Sequence, residues 1–108
     1  MEIQTTNDYC VITPLSPRID KRETERILDE IRNYSSLKIG FNLDFVNDCT
    51  IDFLEVIQNI GASIFNIQSD IFSLILAMNI DKKAEIYATE EDFLLGKRQL
   101  LNREFRIV

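Results

Sequence analysis

The sequence predicts an α/β fold: a mixed, mostly parallel sheet of four to five strands with helices packed against it. Three observations carry that reading. Runs rich in β-branched and aromatic residues alternate with amphipathic helical stretches in the order β-β-α-β-α-β-α-β-α. One run, "LKIGFNLDF" at 37–45, places Leu37, Ile39, Phe41, Leu43 and Phe45 at every second position, the period of a strand. Residues of helix-capping type, Asp20, Asp48, Ser69 and Thr89, stand ahead of the helical stretches. Strands separated by helices require right-handed crossovers and so a largely parallel sheet. The 108 residues suffice for one domain, 1–108, whose core needs no disulfide or metal.

Taken in order, "IQTT" and "YCVITPL" read as a short hairpin around the turn "ND". Pro14 and Pro17 then direct "LSPRID" out of the sheet as a loop, because neither donates to a ladder. Asp20 opens a helix over 21–33, with Glu23 three residues on and Ile27, Leu28 and Ile31 along one face. In the strand at 37–45, Gly40 signals close packing or a bulge. Asp48 or Cys49 starts a second helix, where Phe53, Val56, Ile57 and Ile60 form an apolar stripe widened by Leu54 and Gly61 is the stop. "ASIFNIQ" is a further strand. Ser69 caps "DIFSLILAMN", apolar over most of its girth and expected to be the best buried helix. "AEIYA" is a last short strand, and Thr89 with Asp92 begins a C-terminal helix through "FLLGKRQLLNREF", weakened at Gly96.

Composition narrows the function. The net charge is −6, and no Lys/Arg-rich run forms a stripe, which argues against nucleic acid and anionic membrane as partners. Lys97, Arg98, Arg103 and Arg106, mixed with Glu104, read as a solvated helix face. No apolar run reaches the ~20 residues of a membrane span. The start "MEIQTTNDY" has neither the basic flank nor the apolar centre of a signal peptide, so cytoplasmic residence is the expectation. The two cysteines make no disulfide framework, and Cys10, in a strand pattern, reads as a buried small side chain. There is no histidine, which removes Ser-His-Asp and Cys-His catalysis and His-based zinc sites. No cofactor is expected.

The loop "NDCT" at 47–50 lies where functional loops of such sheets gather, at a carboxyl end of a strand. Asp48 is read as the helix cap. Thr50 is a hydroxyl in a first helical turn, where a phosphate would be welcome, or else a plain helix-start residue. Cys49 could be an activated thiol, but its sequence neighbours are acids and oppose the thiolate. Asp44, Asp48 and Asp52 raise a magnesium site of the phospho-receiver kind. That reading lacks an acidic pair after the first central strand and a lysine ending the last one, leaving solvated acids.

The order of elements and one late segment, "NIDKKAEIYATEEDFL", resemble the STAS domain family, typified by bacterial anti-anti-sigma factors. The resemblance runs from "YCVITPLSPRIDKRETERILDEI" through "KIGFNLDFVNDCTIDFLEVIQNI" to "SIFNIQSDIFSLILAMNIDKKAEIYATEEDFL". The family's motif, "D-(S/T)-(S/T)-G", starts the second helix, and its second hydroxyl is phosphorylated by a partner kinase, which prevents binding to that kinase. Here Asn47 stands in place of the Asp, Asp48 of the first hydroxyl residue, Cys49 of the phospho-acceptor and Thr50 of the glycine. A shift by one would make Thr50 the acceptor but move the helix's apolar residues out of register. The resemblance implies a STAS-like fold and a non-catalytic module that binds an anti-sigma factor or related serine kinase. It would do so through Asn47, Asp48, Cys49, Thr50 and Asp52, without the usual serine switch and with Asp48 imitating the phosphorylated state. Phe45, the "SPRI" loop, Glu55 and Gln58 would flank the contact. The other class of reading is a constitutive structural or regulatory subunit, as in signalling scaffolds or lipid-transporter complexes. A thiol-dependent enzyme at Cys49 ranks third.

Overall fold

The computed structural model describes residues 1–96. Its strands are β1 (Glu2–Thr5), β2 (Tyr9–Thr13), β3 (Arg18–Ile19), β4 (Lys38–Asn42), β5 (Asp48–Cys49), β6 (Ser63–Phe65) and β7 (Glu85–Ile86). The helices are α1 (Lys21–Ile31), α2 (Ile51–Ile60), α3 (Ser69–Ala77) and α4 (Glu90–Leu95), with 3₁₀ turns at Arg32–Tyr34 and Ile80–Lys82. Five strands form one sheet in the order β1-β2-β4-β6-β7. The β1–β2 pair is antiparallel and the other three are parallel, the mixed arrangement expected.

Strand alternation sorts the core into two layers. Cys10, Ile12, Ile39, Phe41, Ile64 and Ile86 turn to one face, where Ile27 and Ile31 of α1, Phe53, Leu54 and Ile57 of α2, and Ile71 and Ile75 of α3 cover them. Val11, Phe65 and Tyr87 turn to the other face and are covered by Phe93 of α4. Gly40 lies on that second face. A Cβ there would stand 2.7 Å from two atoms of the Phe93 ring, so the glycine permits close packing and makes no bulge.

The caps at Asp20 and Thr89 are formed as expected. The Glu23 amide donates to Asp20 Oδ1 at 2.8 Å, and the Asp92 amide to Thr89 Oγ1 at 3.2 Å. Gly61 closes α2 in the left-handed conformation, φ 68°.

Several expectations need correction. The segment after Pro17 leaves the main sheet but is not wholly loop, because β3 pairs in parallel with β5 to make a separate two-stranded ribbon. The strand expected over 37–45 ends at Asn42. The Val46 amide bonds back to the Leu43 carbonyl at 3.1 Å, and this turn throws Phe45 out of the alternation. The second helix starts neither at Asp48 nor at Cys49, which belong to β5. Its N-cap is Thr50. Ser69 is the first residue of α3 and Gln68 its N-cap, without a side-chain cap. Nor is α3 the best buried helix. Only Ile71 and Ile75 are buried in it, whereas α1 buries Thr24, Ile27 and Ile31 and α2 buries Phe53, Leu54 and Ile57. The last helix stops at Leu95, with Gly96 as a left-handed cap at φ 72°. Lys97, Arg98, Arg103, Glu104 and Arg106 lie outside the described residues.

Candidate functional site

The loops after β2 and β4 emerge at the same end of the sheet, because the two strands are parallel neighbours. The ribbon ties them together. The Pro17 carbonyl accepts from the Asn47 amide at 2.7 Å and the Asp48 amide at 3.1 Å, and the Ile19 carbonyl accepts from the Thr50 amide at 3.0 Å. Strand periodicity within β5 then sends Asp48 outward and Cys49 inward. Arg18 and Asp48, paired in register, meet as an ion pair with Nε to Oδ2 at 3.4 Å, both largely in solvent.

The residues expected to act together are thus adjacent but unequal. Asn47, Asp48 and Asp52 are exposed, Cys49 is buried and Thr50 is half-buried. Burial, and then the Asp48 carboxylate, push the Cys49 thiol up to about 11 from an ordinary 9.0, so it is neither accessible nor ionised near neutrality. This removes the activated-thiol reading. The Thr50 hydroxyl is turned inward, fully screened and without a hydrogen-bond partner. It does not cap α2. Asp48, assigned above as the cap, instead faces Arg18 across the ribbon. Among the described residues, no three Asp, Glu or Cys side chains gather where a metal ion could be held.

Three large apolar side chains stand exposed on the same segments: Leu15 in the loop after β2, Phe45 in the loop after β4, and Ile51 as the first residue of α2. The turn that carries Phe45 is braced by side chains. Asn42 Oδ1 accepts from the Asp44 amide and from Asn66 Nδ2, both at 3.1 Å, and Gln68 Nε2 donates to the Asp44 carbonyl at 2.6 Å. Asn66 itself adopts the left-handed conformation, φ 54°, which asparagine tolerates better than most residues. The sequence pattern placed Phe45 in the alternation at the end of a strand and hid its exposure. The signal that could have revealed it is Asn42 and Asp44, turn-type residues inside the apparent strand, with Asn47 and Asp48 just beyond it.

A second polar cluster, on the α4 face, left no trace in the sequence. Lys38 Nζ lies 3.2 Å from Glu85 Oε2 and 3.3 Å from the Tyr87 hydroxyl, and that hydroxyl donates to Glu85 Oε2 at 2.6 Å. Burial would lower the lysine, but Tyr87 and Glu85 more than offset it and hold it above its ordinary value. The ammonium also sits 5.6 Å from the centres of the Tyr87 and Phe93 rings. This is a tie across three strands.

The whole fold is similar to that of several solved proteins. A candidate anti-sigma factor antagonist from Thermotoga maritima superposes with a TM-score of 0.77 at 15% identity, over 88% of this chain and 92% of that one. The Bacillus cell fate determinant SpoIIAA, in its phosphorylated form, gives 0.59 at 14% identity, over 90% of this chain and 98% of that one. The murine anion transporter Slc26a9, in its inward-facing state, gives 0.67 at 11% identity over 85% of this chain, which spans only 18% of the transporter. What is shared at such identities is the fold, the STAS-like one that the resemblance implied. No sequence-family model matches the chain, and no curated protein is similar to it in sequence.

Proposed function

We propose that this chain is a non-catalytic docking module that antagonises an anti-sigma factor or a related serine kinase of the cytoplasm, bound through the loop 43–50 and the start of α2. The observation that carries the reading is Phe45, an aromatic ring 52% exposed on a turn braced by three side-chain hydrogen bonds. A backbone turn fixed before binding loses little entropy on binding, and aromatic anchors dominate interface energetics. Leu15 and Ile51 extend the apolar surface, while Asn47, Asp48 and Asp52 supply its polar edge. Cys49 and Thr50 support the contact from beneath.

The fold is that of SpoIIAA and of the Thermotoga candidate antagonist, which motivates the choice of partner. The site favours a version without a phospho-switch. The residue in the acceptor position is a buried thiol, and the neighbouring Thr50 hydroxyl is closed to a kinase. Asp48 keeps a negative charge at the exposed position beside them, loosely paired with Arg18.

Affinity capture of the full chain from its native host, with mass spectrometry of what it retains, tests this. An ATPase-fold kinase or anti-sigma factor should be held by the wild type and lost from Phe45→Ala and Ile51→Ala, and the chain itself should carry no phosphate. Asp48→Ser should bind that partner more tightly, whereas equal affinity would dispose of the mimicry. Retention of one protein set by wild type and both apolar variants would overturn the docking site. A second reading, a constitutive subunit of a larger assembly, draws on the appearance of this fold as a small part of the Slc26a9 chain. It predicts a stoichiometric complex that survives all three substitutions.

A further inference from the structure

At the opposite end of the sheet from the docking loops, the last turns of α1 and α2 flank the start of β4 and leave a groove of about 390 Å³. Leu28 and Ile31 of α1, Ile60 of α2, and Leu37 and Ile39 at the strand form its walls, with Arg32 and Ser35 exposed at its edge. Its size falls within the range of small-molecule sites, toward the lower end, and five aliphatic side chains make it apolar. We propose that this groove binds a free alkyl carboxylate, its chain along the aliphatic walls and its head on the Arg32 guanidinium. The assignment goes beyond the docking reading, with which it shares no residue.

Charge complementarity selects the class. The chain carries 18 acidic residues to 12 basic ones, yet no Asp or Glu lines the groove, and its two charged residues are Arg32 and Lys38. The Lys38 ammonium lies on the other face of the sheet with Glu85, Tyr87 and Phe93, which leaves Arg32 as the cation of the edge. Among the described residues, Arg32 has one ion pair, Nη1 to Asp29 Oδ1 at 3.3 Å, with the two side chains 77% and 73% exposed. A pair so open to water contributes little, so a carboxylate anchored by its chain on the apolar walls can take the planar fork of the guanidinium. The helix ends oppose an anion only weakly. The Gly61 and Ala62 amides close α2 onto the Gln58 and Ile57 carbonyls, and Arg32 is itself the C-cap of α1, where a cation offsets the partial negative charge. Ser35 adds a hydroxyl donor at the same edge. An ammonium head would meet Arg32 as a like charge, and an alcohol would leave the guanidinium unmatched. One arginine matches one negative charge, which favours a carboxylate over a doubly charged phosphate ester.

The test is a titration of the full chain, ¹⁵N-labelled, at neutral pH with octanoate, 1-octanol and octylammonium in parallel. Octanoate should shift the amides of Ile31, Ser35, Ile39 and Gly61 saturably and bind at least about tenfold more tightly than octanol or octylammonium. Arg32→Gln, a change at an exposed position, should remove that advantage and leave octanoate no tighter than octanol. Leu28→Trp fills the groove and should abolish the octanoate shifts. Should that variant fail to fold, Ile60→Trp, at a position already 36% exposed, fills the same space. Octanoate shifts centred on the loop 43–50, shifts that never saturate, no shifts at millimolar octanoate, octanol binding as tightly as octanoate, or an unchanged octanoate affinity in Arg32→Gln would each overturn the proposal.

Discussion

Thr50 holds its hydroxyl where nothing receives it. The oxygen is buried without a partner, and although Thr50 occupies the N-cap of α2 its side chain does not cap. A threonine at an N-cap normally contributes about 1 kcal/mol through that bond. Here the bond is missing and the hydroxyl has still given up its water. Replacing it with a methyl group of the same shape removes the cost of desolvation and sacrifices no cap. Thr50→Val should therefore raise stability by about 1 kcal/mol, read as a higher urea midpoint with unchanged slope. A lower midpoint would show that the hydroxyl makes a bond in solution.

Phe45 is the opposite case, an apolar side chain whose exposure costs the fold little to lose. Phe45→Ala should keep the urea midpoint within about 0.5 kcal/mol of the wild type, so that any loss of partner binding reports docking and not folding. A loss of several kcal/mol would mean that the ring is a core residue of the turn, and the docking argument would lose its anchor.

At the scale of elements, α4 is the least self-sufficient part of the structure. Its six residues are too few to hold a helix in water, and only Phe93 is buried. That ring stacks on Phe65 with centroids 5.4 Å apart and meets Tyr9 and Tyr87 edge-on at 5.5 and 5.6 Å. It also rests on Gly40, so the strand and the helix are fitted to one another. Gly40→Ala should cost about 1–3 kcal/mol by overpacking, with a weakened near-ultraviolet aromatic signal. Adding Phe93→Leu to Gly40→Ala should then cost less than the two single changes summed, because they share one contact. Strict additivity would place the strain elsewhere.

The same elements show what the sequence could and could not convey. Asp20, Thr89 and Gly61 were legible because each acts on backbone within four residues of itself, and Gly40 stood out as a small residue within an apolar alternation. The β3–β5 ribbon was not legible, since two-residue strands carry no period and their pairing joins Arg18 to Asp48 across thirty positions. Asp48, Cys49 and Thr50 all lay near a helix start. Only the ribbon, which draws the first two into a strand, leaves Thr50 as the cap. The Lys38–Glu85–Tyr87 tie depends on β4 and β7 lying on either side of β6, which no local pattern announces.

For the molecule as a whole, the buried and paired groups predict a loss of stability on the alkaline side. Cys49, Cys10, Tyr87 and Lys38 are all raised above their ordinary values, the cysteines by burial. Tyr87 is raised by burial and then by its bond to Glu85, and Lys38 by Tyr87 and Glu85 against burial. Each therefore keeps its proton in the fold at a pH where the unfolded chain releases it. The unfolded state then binds fewer protons, and stability falls as pH rises. For Cys49 the fall begins near the ordinary 9.0 and is complete above about 11. At about 1.4 kcal/mol for each unit of difference, this thiol alone accounts for roughly 3 kcal/mol at most. The melting temperature of the wild type should thus hold nearly level from about pH 7 to 8.5 and drop steeply from about pH 9 to 11. Cys49→Ala should be less stable at neutral pH, having lost a buried side chain, yet its curve should be flatter across that alkaline range, since the largest of the four contributions is gone. A Cys49→Ala curve running parallel to the wild type would assign the alkaline loss to Lys38, Tyr87 and Cys10, and would mean that Cys49 is far more open to solvent than its place beneath Asp48 implies.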